Sequence, residues 1–199
     1  MIEIINYFAN HIYEFFGVLF SIIYVVLSIR QNILCWYALI IAAIINCYAF
    51  YLIELPLQSI MQLFFITVGI SGIKNWSNKK QGSLIIQSWD TNMHIKTIAL
   101  GSILTILLFK FLNSNLIIET SFASKEPFFD ALMFLFNILP MFMTTKKILE
   151  SWLYFIWIDV ISGFFYLYTG DYFYCFLFFF YIPFATHGYI TWKKEINKL

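Results

Sequence analysis

Apolar residues in this chain come in long, nearly unbroken runs, separated by short polar knots such as Arg30-Gln31-Asn32, Lys146-Lys147 and Gly170-Asp171. A bilayer core about 30 Å thick is crossed by roughly 20 apolar helical residues. Seven runs meet that length, at about 14–29, 33–52, 57–76, 96–112, 127–144, 152–169 and 172–192. Strands of a membrane barrel would alternate apolar and polar positions. These runs do not alternate, so the pattern predicts seven transmembrane helices. The stretch from Met1 to Tyr13 lacks the basic n-region of a cleaved signal peptide, which keeps the first run as a span.

Composition sharpens this picture. Of 199 residues, 61% are hydrophobic, 22% aromatic and only 12% charged, with a mean hydropathy of +0.80. A soluble domain carries about 25% charged residues. A soluble enzyme, a disulfide scaffold, a disordered linker and a nucleic-acid binder are thereby excluded. Seven spans leave short loops and tails, so residues 1–199 read as one transmembrane domain. The net charge of +1 offers no grip on polyanions. Cys35, Cys47 and Cys175 lie scattered in apolar runs without metal-ligand spacing, and no metal or cofactor is predicted.

The basic residues fix an orientation. Arg30, Lys74, Lys79, Lys80, Lys96, Lys146, Lys147, Lys193, Lys194 and Lys198 fall at one end of the spans, against Lys110 and Lys125 at the other. Glu3, Glu14, Glu54, Glu119, Glu126 and Asp171 share the second end. Cytoplasmic loops carry the excess of lysine and arginine. The N-terminus is therefore expected outside and the C-terminus in the cytoplasm of a cell (inner) membrane.

The spacing also holds a repeat. A shift of 116 residues carries Trp36 onto Trp152, Trp76 onto Trp192, Glu14 onto Asp130, Arg30 onto Lys146 and Gly72 onto Gly188. This points to a duplicated three-helix unit, with repeat one at about 14–76 and repeat two at about 127–192. Three spans return the chain on the opposite side, so the linker helix at about 96–112 restores the orientation of the second copy. Parallel repeats about an axis along the membrane normal are a transporter architecture, with the site near the midplane. A duplication that only builds a stable bundle is the alternative.

Polar groups at membrane depth are costly and are candidates for function. Asp159 lies halfway through span six, with Ser162, Gly163 and Tyr166 following on one helical face. The alternative is a protonated aspartate bonded to a neighbouring helix. Asn46 sits among Ala42, Ala43 and Ala49; Gln58 and Gln62 are one turn apart on span three; Asn137 and Pro140 share a face of span five. Pro140 and Pro183 free the carbonyls of Phe136 and Phe179, either as hinges or as simple kinks. Tyr24, Tyr48, Tyr51, Trp157 and Tyr181 are candidates for an aromatic cage, against lipid-facing positions. His187 reads as interfacial. The candidate binding set is Asp159, Gln62, Asn46, Ser162, Tyr166, Gln58, Asn137, Trp36 and Trp152. No grouping of nucleophile and base, phosphate-cradling glycine loop, voltage-sensing arginine run or channel filter is present, so the chain is not expected to be an enzyme.

These residues resemble the PnuC-type vitamin transporters, known for nicotinamide riboside uptake, over nearly the whole chain. The likeness rests on Glu14, Gly17, Arg30, Asn32, Trp36, Gln62, Phe64, Phe65, Gly72 and Trp76 in the first half. In the second it rests on Pro127, Phe128, Asp130, Thr145, Lys146, Lys147, Glu150, Trp152, Asp159-Val-Ile-Ser162, Gly170, Tyr172, Gly188 and Trp192. The resemblance implies a 3+1+3 bundle similar to that of the SWEET sugar transporters, facilitated diffusion, and cargo trapped by phosphorylation. By the same resemblance, nicotinamide riboside members have asparagine at the place of Asp159 and thiamine-carrying relatives have aspartate. Gly69 replaces an asparagine, and Pro56-Leu57-Gln58 a Tyr-Ala-Asp-like stretch.

The expected function is facilitated uptake of a small water-soluble vitamin by alternating access. Nicotinamide riboside is the first candidate cargo and thiamine the second; a non-transporting membrane scaffold is the reading from a different class. The expected partners are the vitamin, the lipid bilayer and a cytoplasmic vitamin kinase, with no nucleic acid. Assembly as a homo-oligomer stays open.

Overall fold

The computed structural model describes residues 11–52, 55–77, 85–114, 117 and 126–197. Among them run seven long apolar helices: α1 (Ile12–Ile29), α2 (Leu34–Leu52), α3 (Pro56–Ser77), α4 (Thr91–Leu112), α5 (Pro127–Thr145), α6 (Ser151–Thr169) and α7 (Tyr172–Ile196). Each expected span has its helix. Of the charges used for orientation, Glu3, Glu54, Lys79, Lys80, Glu119, Lys125 and Lys198 lie outside the described residues.

Helix ends follow local chemistry. α4 begins five residues before the expected 96, because the Asp90 side chain accepts a hydrogen bond from the Met93 amide at 2.9 Å and caps the first turn. α7 runs to Ile196, beyond the expected 192; its last turn carries Lys193 and Lys194, cations that suit a helix C-terminus. α6 stops at Gly170, which adopts φ +87°, the left-handed conformation that favours glycine at a helix end.

Six of the helices close into a ring. α1 packs on α2, α2 on α3, α3 on α5, α5 on α6, α6 on α7, and α7 back on α1. The 116-residue shift carries α1, α2 and α3 onto α5, α6 and α7, so the two junctions between halves, α3 with α5 and α7 with α1, are equivalent. α4 stands outside the ring against α5. It leaves Ile95, Ile98, Leu100, Ile103 and Leu107 exposed, as a helix facing lipid does. The segment before α4 is tied to the turn between α5 and α6. The Gln87 amide donates to the Lys147 carbonyl at 2.9 Å, the Leu149 amide donates to the Gln87 carbonyl at 2.7 Å, and Glu150 accepts from Ser88 and from the Trp89 amide.

The halves also repeat one packing device. Gly72 on α3 lets the Trp36 ring of α2 press against the backbone; a Cβ there would lie 2.2 Å from the ring. Gly188 on α7 does the same for Trp152 of α6, at 2.8 Å. Trp36 meets Trp76 edge to face at 5.2 Å and 85°, and Trp152 meets Trp192 at 5.3 Å and 89°. All of these rings but Trp76 are fully or almost fully buried. Tryptophans 40 residues apart in sequence thus become two matched edge-to-face pairs beneath the centre of the bundle.

Candidate functional site

The ring lines a partly open cavity of about 80 Å³ between its helices. A water centre needs about 10–15 Å³, so the space admits several. Five of the nine predicted residues line it: Asn46 of α2, Gln62 of α3, Asn137 of α5, and Trp152 and Asp159 of α6. Ser21, Tyr24, Phe65, Phe155, Tyr174 and Tyr181 complete its polar and aromatic wall. The 116-residue relation runs through the lining as well. Ser21 answers Asn137, Ala43 answers Asp159, Met61 answers Leu177, Gln62 answers Phe178 and Phe65 answers Tyr181.

The other four predicted residues are buried off the wall. Trp36 is held under Gly72. The Gln58 carbonyl accepts from Gln62 Nε2 at 3.4 Å. Ser162 and Tyr166 share a helix face with Asp159 and are buried nearer the C-terminal end of α6, where Tyr166 stacks on Phe178 of α7 at 5.4 Å and 9° and packs with Tyr174 of α7 and Phe50 of α2. Of the proposed aromatic cage, Tyr24 and Tyr181 reach the cavity, whereas Tyr48, Tyr51 and Trp157 face outward.

The polar groups on the wall fall into two kinds. Some are held by the protein. Asn46 Nδ2 donates to Ser21 Oγ at 3.3 Å, and the Tyr174 hydroxyl donates to Asn46 Oδ1 at 3.2 Å, so one amide joins α1, α2 and α7. Gly17 makes room for it, since a Cβ there would stand 1.9 Å from Asn46 Oδ1. Asn137 Nδ2 donates to the Met133 carbonyl at 2.8 Å, and the Tyr24 hydroxyl meets the Met141 sulfur at 3.1 Å. The other kind is uncommitted. Asp159 Oδ2 and Trp152 Nε1 are buried in the cavity wall with no hydrogen-bond partner among the described residues. No lysine, arginine or histidine is among the lining residues.

Ser21 and Tyr174 were not anticipated. Ser21 carries a signal in the repeat, because a shift of 116 takes it onto Asn137. Tyr174 stands in a run of aromatics, where composition alone gives it no distinction.

Seven apolar helices long enough to span a membrane, six of them in a ring around a small cavity with an uncommitted carboxylate in its wall, define a polytopic membrane protein. The chain belongs to the nicotinamide mononucleotide transporter family, whose sequence model matches residues 11–194. It is accordingly a multi-pass membrane protein of a transporter family rather than an enzyme family. Its fold is that of a solved structure described as the crystal structure of the vitamin B3 transporter PnuC. The two align with a TM-score of 0.80 over 98% of this chain and 86% of that one, at 13% identity. No curated protein matches the chain.

Proposed function

We propose that this protein carries a small cationic vitamin across the membrane by facilitated diffusion, opening its central cavity to one side and then the other. One observation carries the reading: the Asp159 carboxylate is 1% exposed, and among the described residues its Oδ2 has no partner and the cavity wall holds no basic side chain. An unpaired buried charge is costly, and a cation in the cavity would compensate it. The interhelical-glue reading of Asp159 lacks the hydrogen bond it requires.

Nicotinamide riboside and thiamine each carry a positively charged aromatic ring. Asp159 would pair with that charge, and the nearby faces of Trp152, Phe155 and Tyr181 would add cation–π attraction. The family description names a nucleotide. A phosphate, however, would find no lysine or arginine on this wall, which favours the unphosphorylated nucleoside. Nicotinamide riboside is therefore the first cargo. Thiamine is the alternative, favoured by the carboxylate at position 159. The ends that carry Arg30, Lys74, Lys96, Lys146, Lys147, Lys193 and Lys194 would face the cytoplasm, where a kinase would trap the cargo by phosphorylation.

The test is the thermal stability of the purified protein with nicotinamide riboside, thiamine, riboflavin, uncharged nucleosides and nicotinamide mononucleotide. A ligand of the folded state raises its stability in proportion to ln(1 + [L]/Kd). The melting temperature is expected to rise with nicotinamide riboside or thiamine and to stay unchanged with the mononucleotide. No response to either cation, or an equal response to the mononucleotide, overturns the assignment.

A further inference from the structure

At the basic end of the bundle, α1 and α5 finish in the same way. The Gln31 amide donates to the Ser28 carbonyl at 2.9 Å and the Asn32 amide to the Leu27 carbonyl at 3.0 Å. The Lys147 amide donates to the Thr144 carbonyl at 3.0 Å and the Ile148 amide to the Met143 carbonyl at 3.1 Å. This double bond pattern places one residue just past each helix in the left-handed conformation, and glycine is the usual occupant. Here the occupants are Gln31 (φ 51°) and Lys147 (φ 53°), the two non-glycine residues with positive φ among those described. They are related by the 116-residue shift, and each keeps a side chain where the backbone favours none.

Those side chains meet. Lys147 Nζ donates to Gln31 Oε1 at 2.7 Å, and the Gln31 amide nitrogen donates to the Glu195 carboxylate in the last turn of α7. The Lys147 ammonium also lies 4.8 Å from the centre of the Trp76 ring. Burial lowers its pKa, and the Glu195 carboxylate opposes that loss of charge. Just inside, Trp192 Nε1 donates to the Ile29 carbonyl at 3.3 Å, and the Trp76 and Trp192 rings approach to 6.4 Å. Trp192 in turn abuts Trp152, a wall of the cavity. From the cavity outward, then, a layer of tryptophans is followed by a polar chain that ties the turn after α5 to the turn after α1 and to the end of α7.

We infer that Gln31, Lys147 and Glu195 form a latch between the halves, which closes the basic end over the cavity and must part for cargo to leave there. The inference rests on the alternating-access reading above. Its test, however, uses no cargo, so an error in the cargo assignment leaves the result unaffected.

Cys35 reports the state of the latch. It is fully buried in the first turn of α2, four residues after Gln31. In protein with Cys47 and Cys175 replaced by alanine, the alkylation rate of Cys35 by a soluble maleimide is compared with that in Gln31→Gly, Lys147→Gly and Glu195→Ala. Glycine suits the left-handed position, so the helix ends are preserved, and Glu195 lies in a terminal turn. A companion protein that retains only Cys175, at the opposite end of the bundle, reports general loosening. The expected result is at least tenfold faster alkylation of Cys35 in each variant, with Cys175 unchanged or slower. Unchanged Cys35 rates, or a parallel rise at both cysteines, overturn the latch.

Discussion

Two carboxylates bracket the first half of α6, and their surroundings are opposite. Glu150, at the helix start, accepts hydrogen bonds from Ser88 and from the Trp89 amide and is partly open to solvent. Asp159 is enclosed in the cavity wall. Removing one partner of a desolvated charge pair costs several kcal/mol, whereas solvent screening holds an exposed charge to a small contribution. Asp159→Ala is therefore expected to weaken vitamin binding at least 100-fold, about 2.7 kcal/mol, in a calorimetric titration, while the protein still inserts and folds. Asp159→Asn keeps the shape and removes the charge. It is expected to move preference toward nicotinamide riboside if thiamine is the cargo of the native protein. Glu150→Gln serves as the control and should bind as the parent does. Equal, small losses for Asp159→Asn and Glu150→Gln would return Asp159 to a packing role. Among single residues, depth was the readable property. Asp159, Asn46, Gln62 and Asn137 are polar residues well inside apolar runs, and all four reach the cavity; Trp152, in the first turn of α6, stood out through the repeat instead. Helical periodicity was less informative for Ser162 and Tyr166. It states which way a residue faces and not which side chains stand in front of it: Tyr166 lies behind Phe50, Tyr174 and Phe178, three rings that line the cavity.

At the scale of the helix, close approach of backbone and ring limits what the chain tolerates. Gly72 and Gly188 each seat a tryptophan, with the tighter contact at Gly72. Overpacking a well-filled interior costs typically about 1–3 kcal/mol. Gly72→Ala and Gly188→Ala are both expected to lower the melting temperature in detergent, Gly72→Ala by more, because its Cβ would stand 2.2 Å from the Trp36 ring rather than 2.8 Å from Trp152. Equal melting temperatures for parent and variants would mean that the rings move aside freely. The spans themselves were legible because the bilayer imposes both their length and their apolar character. The start of α4 was not. Thr91 to Lys96 is too polar to register as membrane, and the helix begins there because Asp90 caps it, a short-range bond that hydropathy does not sense.

At the scale of the whole molecule, Asp159 is the one carboxylate among the described residues that line the cavity. Ion-coupled carriers place chains of ionisable groups along the membrane, and the lining offers Asp159 alone with no second acidic or basic side chain. Transport is expected to run downhill only. In proteoliposomes the vitamin should equilibrate and stop, with or without a proton or sodium gradient. Accumulation above the outside concentration when such a gradient is imposed would show coupling, and would require ionisable groups beyond this wall.

The counterpart of Asp159 under the 116-residue relation is Ala43, and that of Lys147 is Gln31. A two-fold pair of identical three-helix chains would have no such freedom. Symmetry would set aspartate against aspartate across the cavity and lysine against lysine at the axis, two repelling contacts in surroundings that screen charge poorly. A second cation would then be needed to neutralise the first pair, and an anion to bridge the second. Because both halves belong to one polypeptide, each facing pair can be heterogeneous, with a charge on one side and a neutral group on the other. One wall of the cavity can thus carry a single carboxylate although its counterpart position is apolar, and α4, the helix that connects the two halves in one chain, is what makes this imbalance available.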